Sequence, residues 1–286
     1  MKSKILNFHL YRFHLLPLKT NTQAYNEHFD EKLTLEELKN KKNEIFKEIL
    51  LKLNTTTDKN KNPIQIYDKT DNDECFLYKI ANKKTTTITK NFKHTRTEDE
   101  PYVFIIINNN KEIQKIAINE NSKAFTNPDS VRNIIKKLFQ KDLEKYGINI
   151  EIEKLFDKKT FWNYASKYKD QISFINFKII KPNLANISAS LSEDLKKFMN
   201  KVNSHESNLK IKAPKKGVLE NINQSNPDIN GLVDYSSKGG GSVTLKVKGI
   251  IKSYNTLEKP EIIEIDEMQI EGSPEEVNKV FATIVQ

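Results

Sequence analysis

The spacing of apolar residues along the chain predicts most of its β-strands. Residues 4–18 are apolar on both alternations, which predicts a strand that is buried on both faces and ended by Pro17. Residues 64–118 contain short alternating runs, a pattern typical of an antiparallel meander. Its continuous apolar run at 102–107 predicts a central strand, and a further strand is expected at 86–92.

Later alternating runs predict further strands. A half-buried strand is expected at 148–152, and Ile172–Ile180, apolar on both faces, should lie in the middle of a sheet. A loop is expected at 215–237. After it, the alternation at 243–248 predicts a strand with a lysine face, and residues 262–270 are expected to be its partner.

Helices are predicted where a polar residue can cap the first turn of an amphipathic run. Thr34 and Glu37 form a capping box, in which each side chain can bond to the backbone amide of the other residue. Further helix starts are expected at Asn127, at Asp157, in a second capping box at 190–193 and at Ser273.

These elements predict an α+β fold. Strands that are close in sequence and joined by short turns pair in antiparallel order. We therefore expect an α+β core domain at residues 1–185, with a mostly antiparallel sheet and packed helices. A smaller C-terminal α+β domain is expected at residues 186–286.

The composition limits the class of protein. Of the 286 residues, 37% are hydrophobic and 30% are charged, and the 15 Phe and 10 Tyr argue against general disorder. No apolar run approaches the ~18 residues that a membrane helix needs, so membrane insertion is not expected. A single cysteine, Cys75, excludes an intrachain disulfide and thiolate zinc clusters, which favours a cytoplasmic location.

The charge is unevenly placed. Of the 47 Lys and Arg residues, 45 lie in residues 1–252 against 30 of the 38 acids, whereas residues 253–286 hold two basic and eight acidic residues. A basic body favours an anionic partner such as nucleic acid. Because the chain has only three arginines, we expect lysine contacts with phosphate rather than recognition of base sequence.

Two groups of basic residues are the candidate nucleic-acid contacts. The first follows Asp129 on the predicted helix, where the spacing places basic residues on neighbouring rows. The second group lies after residue 205. Aromatic residues do not interleave with these basic residues, so the backbone of duplex DNA is favoured over a single strand. The alternative to nucleic-acid binding is that these basic residues only keep the protein surface soluble. The candidates are Arg132, Lys136, Lys137, Lys141, Lys145, Lys210, Lys212, Lys215, Lys216, Lys246 and Lys248.

The sequence supports catalysis less well than nucleic-acid binding. Glu151 and Glu153 share one strand face, as the carboxylates of metal-dependent nucleases do, but the solvated face of an amphipathic strand explains both. The glycines at 239–241 precede a strand, unlike a phosphate-binding loop, and predict a flexible hairpin loop. His9 and His14 are an odd number of residues apart and cannot share a metal. The sequence predicts no catalytic residue, no metal and no cofactor.

Part of the chain resembles a group of bacterial phage-defence proteins. The segments are CFLYKI, PYVFIIINNNKEIQKIAI, SVRNIIKKLFQKDL, INIEIEKLF and QISFINFKIIKPN, within residues 75–185, and the later GGGSVTLKVKG. In order and pattern they are similar to RexA-like and KwaB-like proteins and to a related uncharacterised defence-associated family.

The resemblance implies a non-catalytic homodimer that binds duplex DNA without strong sequence preference and takes part in abortive-infection defence against phage. A second protein of the defence system is a further candidate partner. Two alternatives stay open at this point: a nuclease or toxin effector, and a non-catalytic interaction subunit of a defence complex.

Overall fold

The chain folds into eight helices and thirteen strands, as seen in a computed structural model that describes residues 4–18, 33–55, 61–67, 72–181 and 183–285. In chain order the elements are β1 (Ile5–Pro17), α1 (Leu35–Lys52), β2 (Ile64–Ile66), β3 (Cys75–Ala81), β4 (Lys84–Lys90), β5 (Lys93–Asp99), β6 (Tyr102–Asn108), β7 (Lys115–Asn119), α2 (Pro128–Leu143), β8 (Ile148–Lys154), α3 (Lys158–Lys167), β9 (Ile172–Ile180), α4 (Ala185–Ser188), α5 (Glu193–Lys201), β10 (Glu206–Lys212), α6 (Pro227–Tyr235), β11 (Gly241–Val247), β12 (Tyr254–Asn255), β13 (Ile262–Asp266), α7 (Glu267–Glu271) and α8 (Pro274–Val285).

The predicted α+β class is confirmed. Every strand pair whose register is described is antiparallel, and helices accompany the sheets in both halves of the sequence. The predicted strand at the N-terminus is also confirmed, since β1 ends at Pro17 and its side chains from Phe8 to Leu16 are buried.

The residues group into two compact units, each assembled from separate stretches of chain. The first unit comprises residues 1–9, 41–143 and 262–286, and the second comprises residues 10–40 and 144–261. A unit of this kind is a group of residues in mutual contact. Such a group does not show which segments of the chain fold alone. The expected division into domains 1–185 and 186–286 therefore stays a prediction.

The first unit is built on a sheet in the order β13–β1–β7–β6–β3–β2. The predicted central position of β6 is confirmed by its pairing with both β3 and β7. Helices α1 and α2 meet through the rings of Phe46 and Phe139, which are 5.1 Å apart in an edge-to-face arrangement. The hydroxyl of Tyr78 donates to the carbonyl of Leu50 at 2.8 Å, which ties β3 to α1.

The capping signals of three predicted helices are confirmed by hydrogen bonds. The Glu37 amide donates to Thr34 Oγ1 at 3.3 Å, and the Thr34 amide donates to a Glu37 carboxylate oxygen at 2.7 Å. Asn127 accepts from the Ser130 amide at the start of α2, and Asp157 accepts from the amides of the first turn of α3. The side chains of these residues occupy backbone donors that the helix itself leaves unbonded.

The prediction of a strand at 86–92 is only partly correct. It forms β4, but β4 does not join the sheet and pairs instead with β5, a strand that the sequence analysis missed. The segment is rich in threonine and charged residues, so it has strand propensity without an apolar face to bury. It therefore forms a separate two-stranded ribbon, which we call the β4–β5 ribbon.

The strand pairing expected near the C-terminus is wrong. Residues 262–270 were expected to pair with the strand at 243–248, but β13 pairs with β1, and the residues after it form α7. Asp266 begins that helix by accepting a hydrogen bond from the Met268 amide at 3.0 Å. The last helix, α8, is confirmed, and its apolar side chains Val277, Val280, Phe281 and Ile284 are buried.

The second unit contains a four-stranded sheet in the order β10–β9–β11–β12. The prediction that Ile172–Ile180 lies mid-sheet is confirmed, because β9 pairs with β10 on one side and β11 on the other. One face of this sheet packs into an apolar core that includes Phe161, Ile175 and Phe177. Strand β8 pairs with the second half of β1.

Two local predictions in this unit are wrong. Helix α5 is capped by Ser192 and not by Ser190, whose hydroxyl instead donates to Asp234 at 2.6 Å. The loop expected at 215–237 contains helix α6, which Asn226 caps by accepting from the amides of its first turn. Apolar residues of α6 enter the core of the unit, and they are Ile229, Leu232 and Val233.

The prediction of a flexible loop at the glycines 239–241 is also wrong. These glycines are buried at the junction of a π-turn and β11. A Cβ atom on Gly240 would overlap the ring of Tyr235, and one on Gly241 would overlap the carbonyl oxygen of Lys178. The glycines are therefore needed for close packing of the chain rather than for mobility.

Candidate nucleic-acid interface

The strand register of the second unit brings three predicted lysines onto one face of its sheet. Lys212 lies opposite Phe174, which in turn lies opposite Lys246 on the other neighbouring strand. Lys210 is two pairs further along, opposite Asn176, and so lies on the same face. Residues that are directly opposite in a sheet share a face, and all three lysines are exposed. We call this surface the lysine face.

Three more predicted lysines lie at the edge of the lysine face, where β9 begins. Lys215 and Lys216 occupy the turn after β10, and Lys248 directly follows β11. The Lys248 ammonium donates to the carbonyl of Lys216, so the two turns are adjacent. We call these three exposed residues the lysine rim. The same end of the sheet also carries the exposed carboxylates Asp170 and Glu220, which leaves the group with a positive balance.

Phe174 is a member of this surface that the sequence analysis did not select. It is half-buried between Lys212 and Lys246, and the Lys246 ammonium lies 5.4 Å from the centre of its ring. In the sequence it belongs to a run that is apolar on both alternations. Only the register of β9 with its two neighbours shows that its ring shares a face with the lysines.

An ion pair lies at the other end of the lysine face, near the end of β9. Lys178 donates to Glu153 at 2.8 Å and lies 3.3 Å from Glu206. Burial lowers the pKa of the Lys178 ammonium, but the two carboxylates more than offset this, and its pKa is raised. The expectation that Glu153 lies on a solvated face is therefore wrong, since it is 4% exposed. The tertiary packing of β8 and β9 places the half-buried Lys178 against Glu153, and this pairing makes the buried position of the carboxylate favourable.

Four of the five basic residues predicted on this helix lie on α2, in the first unit. Lys137 and Lys141 are exposed one turn apart on α2. Arg132 and Lys136 are half-buried, and Arg132 lies 3.8 Å from Asp129. Lys145 follows in a 3-10 turn that belongs to the second unit. The structure thus gathers one group of predicted lysines within the second unit. Its members are Lys210, Lys212, Lys215, Lys216, Lys246 and Lys248.

A carboxylate holds the lysine next to the buried glycines. Asp234 accepts from Lys238 at 2.7 Å, from Lys158 at 2.6 Å and from Ser190 at 2.6 Å. Burial opposes ionisation of Asp234, but these hydrogen bonds outweigh it and hold its pKa well below the usual range. Lys238 therefore has a structural partner, and this glycine-rich segment is not a phosphate-binding loop.

The histidines have hydrogen-bonding roles. His9 Nε2 lies 2.6 Å from Glu120 Oε1, and His14 lies within 2.7 Å of Asn183 and of the Gly239 carbonyl oxygen. His28 lies outside the described residues. Among the side chains that the structure describes, no three His, Cys, Asp or Glu residues come close enough together to hold a metal ion.

Comparisons with known proteins give no relative. No protein-family model, no curated protein and no solved structure matches this chain. In the part of the chain that the structure describes, no helix is both long and apolar enough to cross a membrane.

Proposed function

We propose that this protein binds duplex DNA through its sugar-phosphate backbone, using the lysine face and the lysine rim of the second unit. The observation that supports this most is the convergence of six exposed lysines from two strands, β10 and β11, and the turns that follow them. Lysine is a flexible point charge, suited to phosphate and not to the recognition of particular bases. The proposed binding is therefore independent of sequence.

The spacing of the lysine face fits this function. Lys212 and Lys246 are separated by β9, which places their Cα atoms about 10 Å apart at two inter-strand distances. Lys210 is about 7 Å from Lys212 along β10. Like charges this close repel one another, and a polyanion that displaces its own counterions relieves the repulsion.

The resemblance to RexA-like and KwaB-like proteins supports a biological setting for this binding. We propose that the protein acts as a cytoplasmic homodimer in anti-phage defence, with no catalytic step of its own. Two copies would double the number of phosphate contacts along one duplex and raise the effective affinity. Sedimentation of the purified protein, with and without duplex, measures the oligomeric state.

A single-stranded ligand is the second candidate, and Phe174 favours it. Single-strand binding surfaces combine positive charge with an aromatic ring on which a base can stack. The lysine face offers one half-buried ring of this kind between two lysines. Competition between single-stranded and duplex DNA of equal length for the same labelled complex distinguishes the two ligands.

The experiment that tests the proposal is a titration of labelled duplex DNA across a salt series. The variant replaces Lys210, Lys212 and Lys246 by Gln. Each lost phosphate contact should lower the slope of log affinity against log salt by about 0.9, so the triple variant should lose roughly 3 units of slope. Addition of Mg²⁺ to the same samples tests for cleavage, which would favour the nuclease alternative.

A matched control keeps the change in total charge the same. Lys159, Lys197 and Lys201 are exposed in the second unit, outside the lysine face and the rim. Their replacement by Gln should leave the salt slope close to that of the unaltered protein. Equal losses in both triple variants would show that the binding follows net charge and that the lysine face is not the site.

A further inference from the structure

The β4–β5 ribbon continues beyond the sheet of the first unit, and most of its residues are exposed. The pairing of β3 with β6 ends at Ala81 and Tyr102, and after a short interruption the chain pairs again from Lys84 with Asp99 to Lys90 with Lys93. Twelve of the fourteen strand residues are exposed. A two-stranded ribbon is marginally stable in water when nothing packs on it, so contact with a partner would favour its order.

The tip of the ribbon carries an aromatic residue in an unfavourable backbone conformation. Asn91 and Phe92 form the two-residue turn, with φ angles of 51° and 59°. Turns with two positive φ angles prefer glycine at the second position, and a bulky residue there is rare. Phe92 is nevertheless fully exposed, at 102%. Its ring therefore gains nothing from packing among the described residues, and this combination points to a function at the tip.

The charge of the ribbon selects an anionic partner. Lys90 and Lys93 lie directly opposite each other beside the tip, an arrangement that is destabilising by itself. Arg96 lies further from the tip on β5, and residues 84–97 contain no carboxylate. The acids Glu98, Asp99 and Glu100 all lie at the base. A polyanion bound at the tip would relieve the repulsion between the two lysines.

We propose that the β4–β5 ribbon is a DNA-binding arm whose tip residue, Phe92, inserts between stacked base pairs from the minor groove. Lys90 and Lys93 contact the phosphates on either side of the insertion. Apolar wedges of this kind open a base step and bend the duplex toward the major groove. The proposal rests on the duplex binding proposed above and assigns it a second contact, one that deforms the DNA.

A lipid surface is the other anionic partner with which an exposed aromatic ring could interact. Membrane binding of a surface element strengthens with the apolar area that it can bury. The ribbon exposes only two large apolar side chains, Phe92 and Ile88. A single ring flanked by two lysines suits a base step better than a bilayer, so we favour DNA.

The test uses a duplex of about 30 base pairs that carries a donor and an acceptor dye at its ends. The unaltered protein should raise energy transfer between the ends, because insertion bends the duplex by 20–90°. Phe92→Gly should abolish this rise and weaken binding by roughly tenfold. A central TA step, which unstacks readily, should improve binding of the unaltered protein but not of Phe92→Gly.

The choice of glycine separates function from folding. Glycine suits the positive φ at this position, so Phe92→Gly should preserve the turn while it removes the ring. Phe198→Ala is the matched control, since it removes another exposed phenylalanine, on α5, and should leave both readouts unchanged. Phe92→Trp should retain the bend and show quenched fluorescence when the indole stacks on a base.

The outcomes distinguish this proposal from the proposed function. One outcome is that Phe92→Gly binds and bends DNA like the unaltered protein while the triple lysine-face variant shows a smaller slope of log affinity against log salt. In that case the proposal that Phe92 inserts is wrong, and the proposal that the lysine face binds DNA is supported. If no duplex is bound at all, both proposals are wrong. If Phe92→Trp responds to vesicles that contain phosphatidylserine and not to duplex DNA, the arm is a membrane contact and the inference is overturned.

Discussion

At the scale of single residues, lysines hold two carboxylates of the second unit, the buried Glu153 and the half-buried Asp234. Glu153 is bound by Lys178, and Asp234 is bound by Lys158 and Lys238. An ionised group that loses its partner while it remains buried is strongly destabilising. These carboxylates therefore contribute to stability and are not available for metal-dependent chemistry without the loss of these pairs.

The two neighbouring glutamates of β8 should respond differently to substitution. Glu153→Gln leaves Lys178 without its closest carboxylate and should lower the free energy of unfolding by about 2 kcal/mol, less than for a fully buried pair because Lys178 is partly exposed. Glu151→Gln, at a half-buried position, should cost less than about 1 kcal/mol. Urea unfolding of the two variants measures both values. Equal effects would contradict the assigned role of the ion pair.

Asp234 should make stability depend on pH. Because its pKa in the folded protein lies below the ordinary value of 3.8, its ionised form stabilises the fold fully well above that pH. The stabilisation is lost as the pH falls below 3.8 toward the folded pKa. Asp234→Asn should therefore cost about 2 kcal/mol near neutral pH, for the loss of charged hydrogen bonds. Unfolding measured from pH 7 to pH 3 should show this difference shrinking at the acidic end.

At the scale of elements, β9 organises the second unit. It pairs with β10 and β11, sends alternate side chains into the core, and presents Phe174 and Asn176 to the lysine face. The close approach of β11 to β9 begins at Gly241. Backbone geometry at one glycine therefore affects the surface that carries the lysines.

Two glycines with positive φ provide a test of this close approach. Gly241→Ala places a methyl group against the carbonyl of Lys178 and should lower the free energy of unfolding by roughly 3 kcal/mol or more. Gly249 also has a positive φ, but a methyl group there meets open space, so Gly249→Ala should cost only about 1 kcal/mol. Thermal unfolding compares the two. A similar cost for both would show that the backbone conformation and not the packing determines the need for glycine.

At the scale of the whole molecule, each compact unit is assembled from separated stretches of sequence. β1 begins in the first unit and ends in the second. The chain returns to the first unit for residues 41–143, and returns to it again for β13, α7 and α8. A division of the chain at one point therefore removes strands from a sheet. This organisation bears directly on the predicted domains 1–185 and 186–286.

Separate expression of the two predicted domains tests that division. A fragment of residues 1–185 keeps β9 but loses β10 and β11, which exposes both edges of β9 and the apolar side chains that it places in the core. We expect neither fragment to fold alone, with loss of the near-ultraviolet dichroism and the cooperative unfolding of the full chain. A fragment 1–185 that unfolds cooperatively would show that the boundary at residue 185 separates true domains.

The features that the sequence determined by itself are local. The capping signals at Thr34, Asn127 and Asp157, the burial of β1 and the mid-sheet position of β9 were predictable. A cap depends on residues three or four apart, and the pattern of a doubly buried strand lies within the strand itself. The lysines of the second group could also be selected, from their spacing and their clustering along the chain.

Only the tertiary structure decided how distant elements pair. The partner of β13, the burial of Glu153 and the position of Phe174 among lysines depend on contacts between residues far apart in sequence. Strand patterns show which face is apolar but do not specify which strand lies next or in what register. The β4–β5 ribbon shows the same limit, since its strand propensity was visible and its separation from the sheet was not. The candidate DNA surface exists because the register of β9 with its neighbours places lysines of β10 and β11, and one aromatic ring, on a single face.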